Sequence, residues 1–141
     1  MVANVEPTGG IHRTFFDIAG NRLLKSPKMM LGPCAGGAVR LSGDAGPLVV
    51  AEGIENGLSL LSGLLTGPAR VWAALSTSGM KSVVLPQNRS ELVIATDGEL
   101  AGRLAGEALE KRAFGLGWPV KMLPAPDGAV WNDFLQQRGA A

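Results

Sequence analysis

Glu52, Asp97 and Glu99 are the residues of this chain whose types and positions best suit chemistry. Glu52 closes the apolar run Leu48-Val49-Val50-Ala51, and Asp97 and Glu99 follow a second run, Leu92-Val93-Ile94-Ala95-Thr96. Short β-rich runs that stop at an acid beside a glycine, here Gly53 and Gly98, have the pattern of buried parallel strands. Such strands deliver the residues that follow them to the carboxyl edge of a sheet. Three acids meeting at that edge would make a hard-oxygen site suited to Mg²⁺. Taken singly, Glu52 is equally well explained as an acid favoured by the positive end of a helix, and Asp97 as the cap of the next helix. Acids at two successive strand ends, with a third at Glu99, exceed what capping requires.

The elements that must position these acids follow from the punctuation of the chain. From Gly46 onward the pattern alternates strand and helix: a strand at 48–51, a helix near 54–65 stopped by Gly67-Pro68, and a strand at 71–75. An ambiguous segment, 80–85, is broken by Pro86-Gln87-Asn88. A strand at 92–96, an amphipathic helix at 100–114 stopped by Gly115 or Gly117, a strand at 120–123 and a closing helix at 131–137 complete it. This alternation predicts βαβ units and a mainly parallel sheet flanked by helices. Residues 1–46 differ in texture. Short runs at 11–17, 27–31 and 38–41 lie among Gly, Pro and turn signals such as Ala19-Gly20-Asn21, and predict a small antiparallel subdomain. The expected division is therefore 1–46 and 47–141.

Composition narrows the function classes. With 141 residues, 46% hydrophobic and 18% charged, the chain can bury a core, and one compact folding unit is expected. A net charge of +1 provides no global basic field, so any polyanion site has to be local. A single cysteine, Cys34, excludes an internal disulfide and a cysteine-based zinc site within the chain, and reads as a small buried apolar residue. No run reaches membrane-spanning length and the start lacks the apolar core of a signal peptide, which makes a cytoplasmic setting the expectation. GxxxxGK[ST], GxGxxG and HExxH are all missing. The only histidine, His12, lies far in sequence from any nucleophile elbow, so carboxylate chemistry remains.

Ordered segments across residues 10–138 resemble a known family. Val49-Val50-Ala51-Glu52-Gly53, then Ala95-Thr96-Asp97-Gly98-Glu99-Leu100-Ala101-Gly102-Arg103, then Trp131-Asn132-Asp133 are similar to the Toprim domain of topoisomerases and primases. The likeness is greatest to the Toprim modules of phage- and plasmid-type primase or primase-helicase proteins. Gly10-Ile11-His12-Arg13-Thr14 and Pro27-Lys28-Met29-Met30-Leu31-Gly32 resemble the stretch that precedes Toprim in those proteins.

The resemblance implies roles for individual residues. Glu52 would serve acid-base work or metal binding, Asp97 and Glu99 would hold Mg²⁺ or Mn²⁺, and Asp133 would be a further metal ligand. Arg103, one turn into the helix after the acidic loop, would meet phosphate or stand exposed in solvent. Arg13, Lys28 and Arg40 would line a basic strip, with Arg40 the one that reads first as a solvated strand charge. His12 would be a structural imidazole or a phosphate contact, and Trp72, Trp118 and Trp131 read as core aromatics. Two departures stand out. Glu99 replaces the usual aspartate, adding a methylene and a rotatable bond, and Gly128-Ala129-Val130 lacks the lysine and aspartate often found before the tryptophan.

The function implied is Mg²⁺-dependent nucleotidyl transfer by the catalytic core of a DNA primase-like replication protein. Its expected partners are a single-stranded DNA template and nucleoside triphosphates, with a replicative helicase as a further candidate and no membrane. A Toprim-type nuclease and a non-catalytic DNA-binding or assembly module are the alternatives. A receiver domain ranks below them, because Glu52 is followed by glycine where paired acids would be needed.

Overall fold

The computed structural model of the chain describes residues 1–23, 25, 27–43 and 45–139. Strands β1 (Val2–Val5), β2 (Gly10–Thr14) and β3 (Lys28–Leu31) form an antiparallel three-stranded sheet in that order. The runs at 11–17 and 27–31 thus pair as anticipated, with Ile11 opposite Leu31 and Thr14 opposite Lys28, and β1 is an addition. Side chains alternate along β2, so His12 and Thr14 are buried on the inner face while Ile11 and Arg13 share the other.

The run at 38–41 goes elsewhere. Its core, β4 (Val39–Arg40), pairs antiparallel with a strand of the larger sheet, Val39 opposite Ala73. Burial explains the choice, because Val39 joins Val5, Ile54 and Ala73 in an apolar cluster that fastens the two sheets together.

The larger sheet continues with β5 (Leu48–Ala51), β6 (Arg70–Ala73), β7 (Leu92–Thr96) and β8 (Val120–Pro124) in the order β4-β6-β5-β7-β8, and the last four strands are parallel. Between them lie α1 (Ile54–Ser59), α2 (Thr77–Ser82) and α3 (Leu100–Gly115), and α4 (Trp131–Gly139) closes the chain. Leu48, Val50, Leu92 and Ile94 face one way, onto Met80 and Val83 near α2 and onto Ala105, Leu109 and Ala113 of α3. Val49, Ala51, Val93 and Ala95 face the other, onto Leu60 and Trp131. Burial on both faces is why β5 and β7 are continuous apolar runs rather than alternating ones.

Local chemistry sets the helix ends. The helix expected over 54–65 stops being α-helical at Ser59 and passes into a π-helical turn, Leu60–Leu64, where Gly63 adopts φ +118°. The ambiguous stretch resolves as α2, because the Ser76 hydroxyl caps it by accepting from the Gly79 amide at 2.9 Å. All three tryptophans are buried. Among the described residues, no helix is long and apolar enough to cross a membrane.

Candidate active site

Connections leave β5 in one direction, toward β6, and leave β7 in the other, toward β8. The crevice between the carboxyl ends of β5 and β7 is therefore the topological switch point, where open α/β sheets bind ligands. Glu52 and Asp97 are the first residues beyond these two strands. Ala51 lies beside Ala95, so Glu52 leaves its strand one residue earlier than Asp97 leaves β7.

A cleft of about 270 Å³ opens at this point, and Glu52, Asp97, Asn56, Asp133 and Lys28 are among its lining residues. The leucine at 75, which also lines it, has φ +75°, a left-handed conformation uncommon outside glycine. Two glycines permit the close packing of the acidic loop. A Cβ on Gly98 would run into the Pro126 carbonyl, and one on Gly102 would stand 3.2 Å from both Glu52 Oε2 and the Asp97 carbonyl oxygen.

Asp97 does not cap α3. That position belongs to Glu99, whose side chain makes no capping bond, while Asp97 Oδ1 accepts from Asn56 Nδ2 at 2.6 Å. Burial first, then the charges of Glu52, Glu99 and Asp133 against an opposing Lys28, push the Asp97 carboxyl up to about 6. Glu52 is raised too, by burial and then by Glu99. The acids thus form an electrostatic group, although Glu99 is exposed and does not line the cleft. Among the described residues, no three or more His, Cys, Asp or Glu are gathered as a metal-holding cluster.

Glu55, Asn56, Arg22 and Asn132 complete the site and were not singled out from sequence. Glu55 receives Lys28 Nζ at 3.0 Å and pairs with Arg22 at 3.2 Å. Burial alone would raise its carboxyl, but a backbone hydrogen bond and these two cations bring it below the usual glutamate range. Asn56 Oδ1 accepts from the Asn132 amide at 3.4 Å, and Ser59 Oγ donates to Asn132 Oδ1 at 3.3 Å. One signal was available: Asn56 stands four residues before the apolar Leu60, on the same face of the expected helix.

The remaining basic candidates lie apart from the cleft lining. The Arg103 guanidinium pairs with Asp127, and its Nε donates to the Gly98 carbonyl at 3.4 Å, bracing the acidic loop against the loop before α4. Arg13 lies over the Phe15 ring at 5.7 Å, on the face of β2 opposite His12. Arg40 pairs with Glu6 at 3.2 Å and covers Trp72. Lys28, in register with Thr14, reaches the cleft.

Residues 47–141 match the Toprim domain family. This chain belongs to the Toprim family. Its fold is similar to a crystal structure of a DNA primase domain from Pseudomonas aeruginosa, with TM-score 0.55 and 18% identity over 96% of this chain and 52% of that one. The chain thus spans about half the length of that domain. It matches none of the curated proteins. The Toprim assignment accords with the mainly parallel sheet flanked by helices.

Proposed function

We propose that the cleft is the catalytic site of a DNA primase-like replication protein, performing nucleotidyl transfer with Mg²⁺ or Mn²⁺. The substrates would be nucleoside triphosphates, joined into a short RNA primer on single-stranded DNA, with a replicative helicase as a candidate partner. One observation carries the reading: Glu52 and Asp97 stand at the ends of adjacent parallel strands at the switch point, in a cleft that also admits Lys28. The primase-domain likeness supports it at the level of fold.

The donor set suits such a cation. Mg²⁺ is commonly held by one or two carboxylates, with water and substrate phosphates completing its octahedron, so a protein-only cage of acids is not needed. Glu52 and Asp97 would hold it, with Asp133 and Glu99 as outer candidates. The repulsion that raises Asp97 is a charge imbalance that a dication would relieve. When bound, the cation would neutralise phosphate charge and acidify the attacking hydroxyl. Glu52, raised by burial, is placed to take up a proton. Asn56 fixes the Asp97 carboxylate, and Lys28 and Arg22 give the cleft a cationic wall toward a triphosphate. Arg13 and Arg103 are proposed as more distant phosphate contacts along the strand.

Primer synthesis on single-stranded DNA tests the proposal. The native chain should extend labelled nucleotides in a Mg²⁺-dependent manner and Asp97→Asn should not; full activity in the variant would sink the assignment. Cleavage of labelled DNA in place of extension would assign a nuclease. Neither turnover nor calorimetric cation binding would assign a non-catalytic module.

A further inference from the structure

Helix α3 carries apolar side chains on two opposite faces. Its inner face, including Ala105, Leu109 and Ala113, is buried on the sheet. Leu100, Leu104, Glu107, Lys111 and Phe114 recur at spacings of four and three residues, which draws one line along the opposite face. Leu100 is 73%, Leu104 50% and Phe114 76% exposed. Glu107 and Lys111 are exposed too, and neither forms a salt bridge among the described residues. Large apolar residues aligned on a solvent face mark a contact surface.

The order of charges along this line selects its occupant. It reads apolar, apolar, acidic, basic, apolar, and that order complements itself when reversed. A second copy of α3 laid antiparallel sets Glu107 against Lys111 and Lys111 against Glu107. The same register sets Leu104 against Phe114 on both sides. Leu100 then reaches the C-terminal end of the second helix, where Phe114, Pro119 and Val120 join Glu110 and Lys111 in lining a cleft of about 420 Å³. A parallel arrangement in register would instead stack Glu107 on Glu107 and Lys111 on Lys111, which like-charge repulsion disfavours. A contact in which residue i meets j and j meets i is the isologous interface of a two-fold dimer.

We propose that the chain forms a two-fold dimer through the outer face of α3, with crossed Glu107–Lys111 pairs at its centre and Leu100 seated at the cleft beside the second copy's Phe114. No residue of α3 lines the cleft at the switch point, so both copies keep that cleft open and dimerisation stands independently of catalysis.

Sedimentation equilibrium of the 141-residue chain tests this. The expected result is a monomer–dimer equilibrium with a dissociation constant of about 1–100 µM, as suits a small interface. Phe114→Glu, and separately Glu107→Lys, should each weaken it about tenfold or more. The double variant Glu107→Lys with Lys111→Glu restores opposite charges at every contact and should recover most of the affinity. All of these positions are exposed, and circular dichroism verifies that each variant is folded. A chain still monomeric at about 500 µM would overturn the proposal. So would a dimer indifferent to Phe114→Glu, or a double swap no tighter than the single one.

Discussion

Asn56 Nδ2 donates to Asp97 Oδ1 at 2.6 Å, joining the helix after β5 to the end of β7. The same side chain accepts from the Asn132 amide, so one residue spans both acidic strand ends and the start of α4.

Removing that bridge should loosen the site more than the fold. Asn56→Ala deletes two hydrogen bonds at a buried position, and denaturant unfolding should register a loss of about 1–3 kcal/mol. Asn56→Asp should be worse for function, since another carboxylate beside Asp97 would raise its affinity for protons further. Cation titration across pH should show weaker binding for Asn56→Ala, and for Asn56→Asp a binding midpoint displaced to higher pH.

Asp97→Asn should stabilise the metal-free chain at neutral pH while abolishing cation binding. The native carboxyl is raised from 3.8 to about 6, so the folded state holds the proton more tightly than the unfolded one. Stability therefore falls as pH rises between those values, and the full cost persists above the upper one. Unscreened, that cost is at most ~3 kcal/mol; partial solvent exposure reduces it to ~1 kcal/mol, which the asparagine removes. Thermal melts with chelator at pH 4, 6 and 8 should place native and variant progressively further apart, about 1 kcal/mol at the top. Proton competition also predicts cation affinity that drops as pH falls through about 6.

His12 should make the acid side of the stability curve steeper. Burial first, then the charge of Lys28, depress its pKa below 6.5, against a smaller opposing pull from Glu55. The folded state thus favours neutral imidazole, and this contribution is complete above 6.5 and lost as pH falls through the lower folded value. Substituting His12→Asn should flatten denaturant-derived stability across that window. An unchanged slope would remove His12 as its cause.

Lys28 and Glu55 tie the antiparallel sheet to α1, and a double-mutant cycle with Lys28→Met and Glu55→Gln should find coupling of about 0.2–1 kcal/mol, typical of a half-exposed pair. Its functional effect should be larger. Glu55→Gln releases two cations into a cleft that already holds Glu52 and Asp97, and nucleotide affinity measured by fluorescence should change severalfold more than the melting temperature suggests.

Gly102→Ala separates positioning from stability. A methyl there would press on Glu52 Oε2 and the Asp97 carbonyl, while alanine gains about 1 kcal/mol of helix propensity over glycine. Melting should shift little, and primer synthesis should fall about tenfold or more through misplacement of Glu52.

Much of this architecture was written in local pattern. Runs such as Leu92–Thr96 are uninterrupted because both of their faces are covered, and the glycine after Asp97 is required because the Pro126 carbonyl packs where a Cβ would stand. Other choices had no local signature. Val39–Arg40 has the same texture as the antiparallel runs before it, yet it pairs with β6 because Val39 finds its apolar partners there.

The sequence by itself determined the four parallel strands, the order of the acids and the Toprim character, because periodicity and strand-end chemistry are properties of neighbours along the chain. The tertiary structure decided which groups share the cleft. It brought Lys28 in, set Arg13 on the other face of its strand, turned Arg103 onto Asp127 and gave Asp97 to Asn56. Those outcomes rest on sheet register, on the direction of alternating side chains and on which polar group reaches an acid first. None of these is encoded in the spacing of residues along one strand.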